Sequence, residues 1–136
     1  EDDDAHAELV RRELTTAMPA TVVRRATDGA EALAYLRGDG ARAAPDLILL
    51  DLRLPKVDGH EVLSTLKSDP ALKAIPVVVL TSSESERDLS RAYGAHANSY
   101  LVKPHDRQGF RELLADLGRY WFVRNAVPAR REPSAP

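Results

Sequence analysis

With 136 residues and no cysteine, the chain suits one domain that buries roughly two-thirds of its extended surface, and it excludes disulfide scaffolds, thiolate metal sites and thiol nucleophiles. Nineteen basic and 21 acidic residues leave a formal net charge of -2, which argues against a nucleic-acid module held by an overall positive field. Apolar runs such as Leu47–Leu50 and Val77–Leu80 are too short to cross a bilayer, and the opening Glu1-Asp2-Asp3-Asp4 is the opposite of a basic secretory start, so no membrane association and a cytoplasmic location are expected.

Ala5, Leu9, Val10 and Leu14 recur at helical spacing and predict a helix from Asp4 to about Thr16, with Asp3 or Asp4 as its N-cap. After Pro19, the short β-branched segment Thr21–Arg25 predicts a strand. A second helix follows from about Gly29 to Arg37, capped by Asp28, with Ala30, Leu33, Ala34 and Leu36 for burial and Gly38-Asp39-Gly40 as its stop. Asp46–Leu50 is continuously apolar after its first residue, the pattern of a strand covered on both faces.

Asp58 or Gly59 opens a third helix carrying Val62, Leu63 and Leu66, which Asp69-Pro70 breaks. Ile75–Leu80 reads as another buried strand, with Pro76 near its start, where a ladder donor can be spared. Ser83–Tyr93 predicts a more polar helix with Leu89, Ala92 and Tyr93 on its apolar side and Gly94 as its cap. Ser99–Val102 is the last strand. Phe110, Leu113, Leu114, Leu117 and Trp121 then mark the longest helix, from Asp106 to about Phe122. Pro128, Pro133, Pro136 and neighbouring arginines mark a loose tail, dividing the chain into a domain over 1–122 and a tail over 123–136.

Alternating helices and strands predict an α/β sandwich with a parallel sheet. Right-handed crossovers gather the strand C-termini at one edge, where ligands of open sheets bind. Four polar positions fall there: Glu1-Asp2 before the first helix, Asp51 after Leu47–Leu50, Thr81 after Val77–Leu80, and Lys103 after Tyr100–Val102. Singly, each has a plainer reading: a helix cap, a turn residue or a surface charge. Together their chemistry agrees. Clustered carboxylates repel unless a hard cation such as Mg²⁺ neutralises them, a carboxylate is a known phosphoryl nucleophile, and a hydroxyl and an ammonium suit the developing charge.

From Glu1 to about Gly118 the chain resembles the receiver domain of two-component response regulators. The resemblance is carried by Asp51-Leu52-Arg53-Leu54-Pro55-Lys56-Val57-Asp58-Gly59, by Glu1-Asp2, by Thr81-Ser82 and by Lys103-Pro104. It implies a flavodoxin-like, doubly wound parallel sheet of five strands in the order 2-1-3-4-5, and a usually cis Lys103–Pro104 bond. It further implies that Asp51 accepts a phosphoryl group from a phosphohistidine on a sensor histidine kinase. Mg²⁺ would be held by Asp2, Asp51 and the backbone carbonyl of Arg53, with Glu1 mostly through water. Thr81 and Lys103 would contact the phosphoryl group, and Tyr100 would rotate with Thr81 as a switch. The face of the helix 83–93, the strand Ser99–Val102 and the last helix would change its partner preference. Arg53 and Ser83 would tune phosphoryl lifetime, although a solvated loop residue is an equal reading of Arg53.

Tyr120-Trp121-Phe122 with Val127-Pro128, and Ala97-Asn98-Ser99-Tyr100-Leu101 earlier, resemble stand-alone receivers that partner bacterial phytochrome-type kinases and often form homodimers. Three adjacent aromatics cannot all face one core from one helix, so they either end the core or supply a contact. His6, His60, His96 and His105 lack zinc-ligand spacing and are expected in turns or facing solvent.

The fold implied by the resemblance needs a strand ahead of the first helix, lying between the second and third strands. The expectation is that a few apolar residues precede Glu1, or that a partner supplies a strand in trans. Two other readings compete. One is a binding module of the same fold that no longer takes a phosphoryl group. The other is an aspartyl phosphohydrolase, for which Arg53 stands where a second Asp is wanted.

Overall fold

The computed structural model of the chain describes residues 1–38 and 44–128. Its elements run α1 (Asp4–Ala17), α2 (Gly29–Leu36), β1 (Ile48–Leu50), α3 (Gly59–Ser68), β2 (Val77–Thr81), α4 (Glu86–Gly94), β3 (Ser99–Val102) and α5 (Arg107–Gly118), followed by a π-helical turn over Arg119–Arg124. The expected stop at Gly38-Asp39-Gly40 falls, beyond Gly38, outside the described residues, as does the tail from 129 on. No helix among the described residues is long and apolar enough to cross a membrane.

The strands form a parallel sheet ordered β1-β2-β3, with Ile48 opposite Val77 and Val78 opposite Ser99. Every residue of β2 is buried, as expected of a central parallel strand covered by helices on both faces. One core cluster joins Leu50, Leu52, Val77 and Val79 to Val62, Leu63 and Leu66 of α3 and Leu33 of α2. The other joins Leu80 to Leu9 of α1 and to Phe110 and Leu114 of α5. Two helical layers therefore sandwich the sheet, which is the predicted α/β class.

The five-stranded order 2-1-3-4-5 is not what the described residues form. Thr21–Arg25 is irregular rather than a strand. A strand exists only with a hydrogen-bonded neighbour, and among the described residues no segment pairs with this one; Thr21 Oγ1 is buried without a partner among them. The strand expected ahead of α1 likewise has no counterpart among the described residues, which leaves β1 at the sheet edge.

Most helix starts follow their capping residues. Asp3, Asp28, Asp58, Ser85 and Asp106 each accept a hydrogen bond from a backbone N–H of the first turn. α4 begins at Glu86, later than the expected Ser83, because the turn before it is built from side-chain bonds. The N–H of Ser83 donates to Thr81 Oγ1 and that of Ser85 to Ser83 Oγ, local pairings that compete with helix. At the other end of α4, Gly94 is the last helical residue and not the left-handed cap. That role falls to His96 at φ 71°, with the N–H of Ala97 bonded to Ala92 and that of His96 to Tyr93, the paired closure of a Schellman motif.

α5 stops short of Phe122. Gly118 packs so closely on Ala17 that an added Cβ would lie 2.8 Å from the Ala17 Cβ. The chain then widens into a π turn closed by Asn125 N–H to Tyr120 O at 2.7 Å. Trp121 and Phe122 are half-buried there, while Tyr120 is 59% exposed.

Candidate functional site

β1 delivers Asp51 to the carboxyl edge of the sheet, and the turn that follows is pinned beneath it. Gly59 N–H bonds to Leu52 O at 3.1 Å, and a Cβ on Gly59 would strike the Asp51 carbonyl and the Leu52 backbone. Only glycine permits that approach. In the same turn Lys56 sits at φ 65° and Val57 N–H closes onto Pro55 O at 2.8 Å.

Lys103 lies one residue beyond β3, and its N–H donates to Thr81 O at 2.8 Å, so the ends of β2 and β3 are fastened side by side. Its side chain is buried. The ammonium donates to Asp51 Oδ2 at 2.9 Å and to Glu1 Oε2 at 2.6 Å, and stands 3.1 Å from His6 Nδ1. Burial pulls the Lys103 ammonium down, but the hydrogen bonds and charges of Glu1 and Asp51 outweigh it and hold its pKa above the ordinary amine value. Lys103 is therefore a fixed cation beside the Asp51 carboxylate.

Glu1, Asp2 and Asp51 each offer a carboxylate oxygen, and these atoms lie within 4.8 Å of one another. Glu1 is fixed from several sides: its backbone N bonds to Ala26 O, its carbonyl accepts from Arg25 Nε, and its Oε1 accepts from Asp3 N–H. Three convergent hard oxygen donors, one of them exposed to solvent, suit a divalent cation that keeps several waters. The donor set fits Mg²⁺.

Thr81 is fully buried at the end of β2, its hydroxyl turned to the Ser83 N–H. Tyr100 is half-buried and donates its hydroxyl to Ser83 O at 2.9 Å. The Arg53 N–H donates to Asp51 Oδ1 at 3.1 Å, while its guanidinium reaches Asp88 Oδ2 at 3.4 Å. Glu1, Asp2, Asp51, Arg53 and Lys103 thus converge directly, with Thr81 and Ser83 where β2 runs into the adjoining turn and Tyr100 bonded to that turn from β3.

Sequence reasoning misplaced some histidines and missed an acid. His60 does not face solvent. It is 5% exposed in the first turn of α3, its Nε2 2.9 Å from Asp88 Oδ1, because α3 turns this position inward against α4. His6 is half-buried, its ring packed edge-on to Phe110 with centroids 5.2 Å apart. Asp88 carries a partial signal in the sequence, since Ser85-Glu86-Arg87-Asp88 has the spacing of a capping box. Its backbone N–H does bond to Ser85 Oγ. Its carboxylate bonds elsewhere, to the nearby Ser83 hydroxyl and to Arg53 and His60 from distant segments that no local spacing reveals. The Lys103–Pro104 bond is trans, since the described residues contain no cis peptide; trans is the ordinary preference of such a bond.

A family described as "Response regulator receiver domain" matches residues 1–115. The chain belongs to this receiver family. The receiver is 47% identical over 130 residues to the "Probable methanogenesis regulatory protein FilR2" of Methanothrix harundinacea, covering 94% of this chain and 84% of that protein. It is 39% identical over 132 residues to "Response regulator Rcp1" of Synechocystis sp., covering 95% and 90%. A solved Mn(2+)-bound form of Rcp1 aligns with TM-score 0.81 at 36% identity, covering 95% of each chain. The phosphorylated cyanobacterial phytochrome response regulator RcpA aligns with TM-score 0.90 at 40% identity, covering 95% of this receiver and 94% of that chain.

Proposed function

We propose that this receiver accepts a phosphoryl group on Asp51 from a phosphohistidine of a sensor histidine kinase, of the phytochrome type, and signals through the face formed by α4, β3 and α5. The observation that carries the reading is the meeting of the Glu1, Asp2 and Asp51 carboxylates with a buried Lys103 ammonium 2.9 Å from Asp51. One solved relative is phosphorylated and another holds Mn²⁺, which supports the same chemistry here.

An Asp51 oxygen attacks phosphorus, the phosphorus–nitrogen bond breaks, and its electron pair stays with the donor histidine. Lys103, which pairs Asp51 and Glu1 in the unmodified receiver, turns to the new phosphoryl oxygens. Its charge is already in place and fixed by neighbours, so little reorganisation accompanies the step. Asp2, Asp51 and the carbonyl of Arg53 would hold Mg²⁺, with Glu1 reached through water, and the cation would neutralise the carboxylates and phosphoryl oxygens. Thr81 turns its hydroxyl from the Ser83 N–H toward the phosphoryl group. Because Tyr100 bonds to Ser83 O, that turn and the Tyr100 ring move together, which is how a local charge reaches the partner face. Arg53 and Ser83 tune the lifetime of the product.

A homodimer built on the carboxyl-terminal segment completes the reading. Tyr120, Val123 and Val127 are 59%, 67% and 54% exposed, an apolar group that pairing would cover.

Intact-mass measurement after incubation with Mg²⁺ and a small acyl phosphate tests the chemistry. One alkali-labile phosphoryl adduct is expected, absent in Asp51→Asn and absent when the cation is chelated. A chain that stays unlabelled under these conditions is a binding module instead.

A further inference from the structure

Asp88 is the meeting point of groups from three separate parts of the chain. Its Oδ2 accepts from Ser83 Oγ at 2.6 Å and from the Arg53 guanidinium at 3.4 Å, while its Oδ1 faces His60 Nε2 at 2.9 Å. The side chain of His60 is 5% exposed and that of Asp88 17%, whereas that of Arg53 is 77% exposed. The carboxylate is therefore anchored from beneath by α3 and by its own helix, and it reaches outward to two donors. One of those donors adjoins the phosphoacceptor and the other adjoins Thr81. Arg53 binds Asp51 through its N–H, and Ser83 binds Thr81 Oγ1 through its own.

We propose that Asp88 is a positioning residue that competes with the phosphoryl group on Asp51 for the Arg53 guanidinium and the Ser83 hydroxyl. The inference rests on the phosphoacceptor reading and adds to it the residue that sets where the two donors stand. In the unmodified receiver Asp88 is the anion they face. A phosphoryl group brings further negative oxygens to the same mouth, and each donor then divides its time between two acceptors. As long as Asp88 keeps its charge, Arg53 is held off the phosphoryl group and water reaches phosphorus from that side. Without the charge, the guanidinium closes over the phosphoryl oxygens. The carboxylate belongs to the first turn of α4, so the same competition links the occupancy of Asp51 to the position of that helix.

The test compares the receiver with Asp88→Asn, in which an amide oxygen can still face His60 and the packing is kept. Labelling by a small acyl phosphate with Mg²⁺ should quicken, and loss of the phosphoryl group should slow by about two- to fivefold, the size an exposed ion pair supports. In a background of Arg53→Ala with Ser83→Ala, adding Asp88→Asn should change the lifetime no further, a result that a merely structural role would not give. In the unmodified protein, Asp88→Ala should raise hydrogen exchange at the Ser85 amide, which Ser83 Oγ protects. A lifetime unchanged in Asp88→Asn, or altered equally with and without the two donors, overturns the proposal while leaving the phosphoacceptor reading intact. A wild-type receiver that takes no label overturns both.

Discussion

Lys103 is buried between two carboxylates, and its value depends on both. Replacing it with Met leaves Asp51 and Glu1 facing one another without a cation. Lys103→Met should therefore lose about 3 kcal/mol of stability in urea unfolding, near the lower bound for breaking a buried pair. Added Mg²⁺ should return part of that loss, because the same oxygens can hold the ion; an equal loss with and without Mg²⁺ would contradict the arrangement. Asp28 gives a second prediction. The Glu31 N–H first, and the Lys56 ammonium after it, hold its carboxyl below the ordinary 3.8. A carboxyl with a lowered folded pKa contributes stability that is complete above its ordinary value and is lost as pH falls through the lowered one. The stability difference between wild type and Asp28→Ala should thus be largest near neutrality and shrink as the pH drops below the ordinary carboxylate range. Unfolding at pH 7 and pH 3 checks the sign.

Elements with a strong local pattern were legible in the sequence. α1 and α3 have apolar spacing, and each has an Asp cap that bonds its first turn. β2, with four β-branched residues of five and Leu80 between them, needs no wider context. Two of the misreadings come from dependence on a neighbour far away in sequence. Thr21–Arg25 has strand composition but no partner to pair with among the described residues. The end of α5 was hidden because its last turn answers to Ala17, a contact across 101 positions that leaves Gly118 no room for a side chain. At the site, the order Glu1-Asp2, Asp51, Thr81, Lys103 was readable since each follows or opens an element. The Asp88–His60 pair was not, because it joins the first turns of two helices. His96 yields the prediction at this scale. It occupies a left-handed position at φ 71°, which costs a side-chain-bearing residue about 1–2 kcal/mol. His96→Gly should gain about 1 kcal/mol in thermal or urea unfolding, and a loss would mean that His96 makes a contact worth more than the strain.

In the whole molecule, helices on both faces of β2 and β3 bring one edge of the sheet together as the site. α1 and α5 pack closely enough that Glu13 bonds to Arg111 at 2.9 Å. Beyond them the π turn directs Tyr120 and Val123 outward, away from the core that half-buries Trp121 and Phe122. If those side chains mediate assembly, sedimentation velocity should show a dimer that grows with concentration, and Val123→Asp should shift it to monomer; a wild-type monomer at every concentration would remove the carboxyl-terminal interface. What matters most for this receiver is one bond, phosphorus to an oxygen of Asp51, formed only with a cation at the acidic cluster. Reduction of the labelled receiver with borohydride converts an acyl phosphate to the corresponding alcohol, which peptide sequencing by mass spectrometry locates. Homoserine is expected at position 51, only in samples labelled with Mg²⁺. Label at any other residue, or at position 51 without a divalent cation, would contradict it.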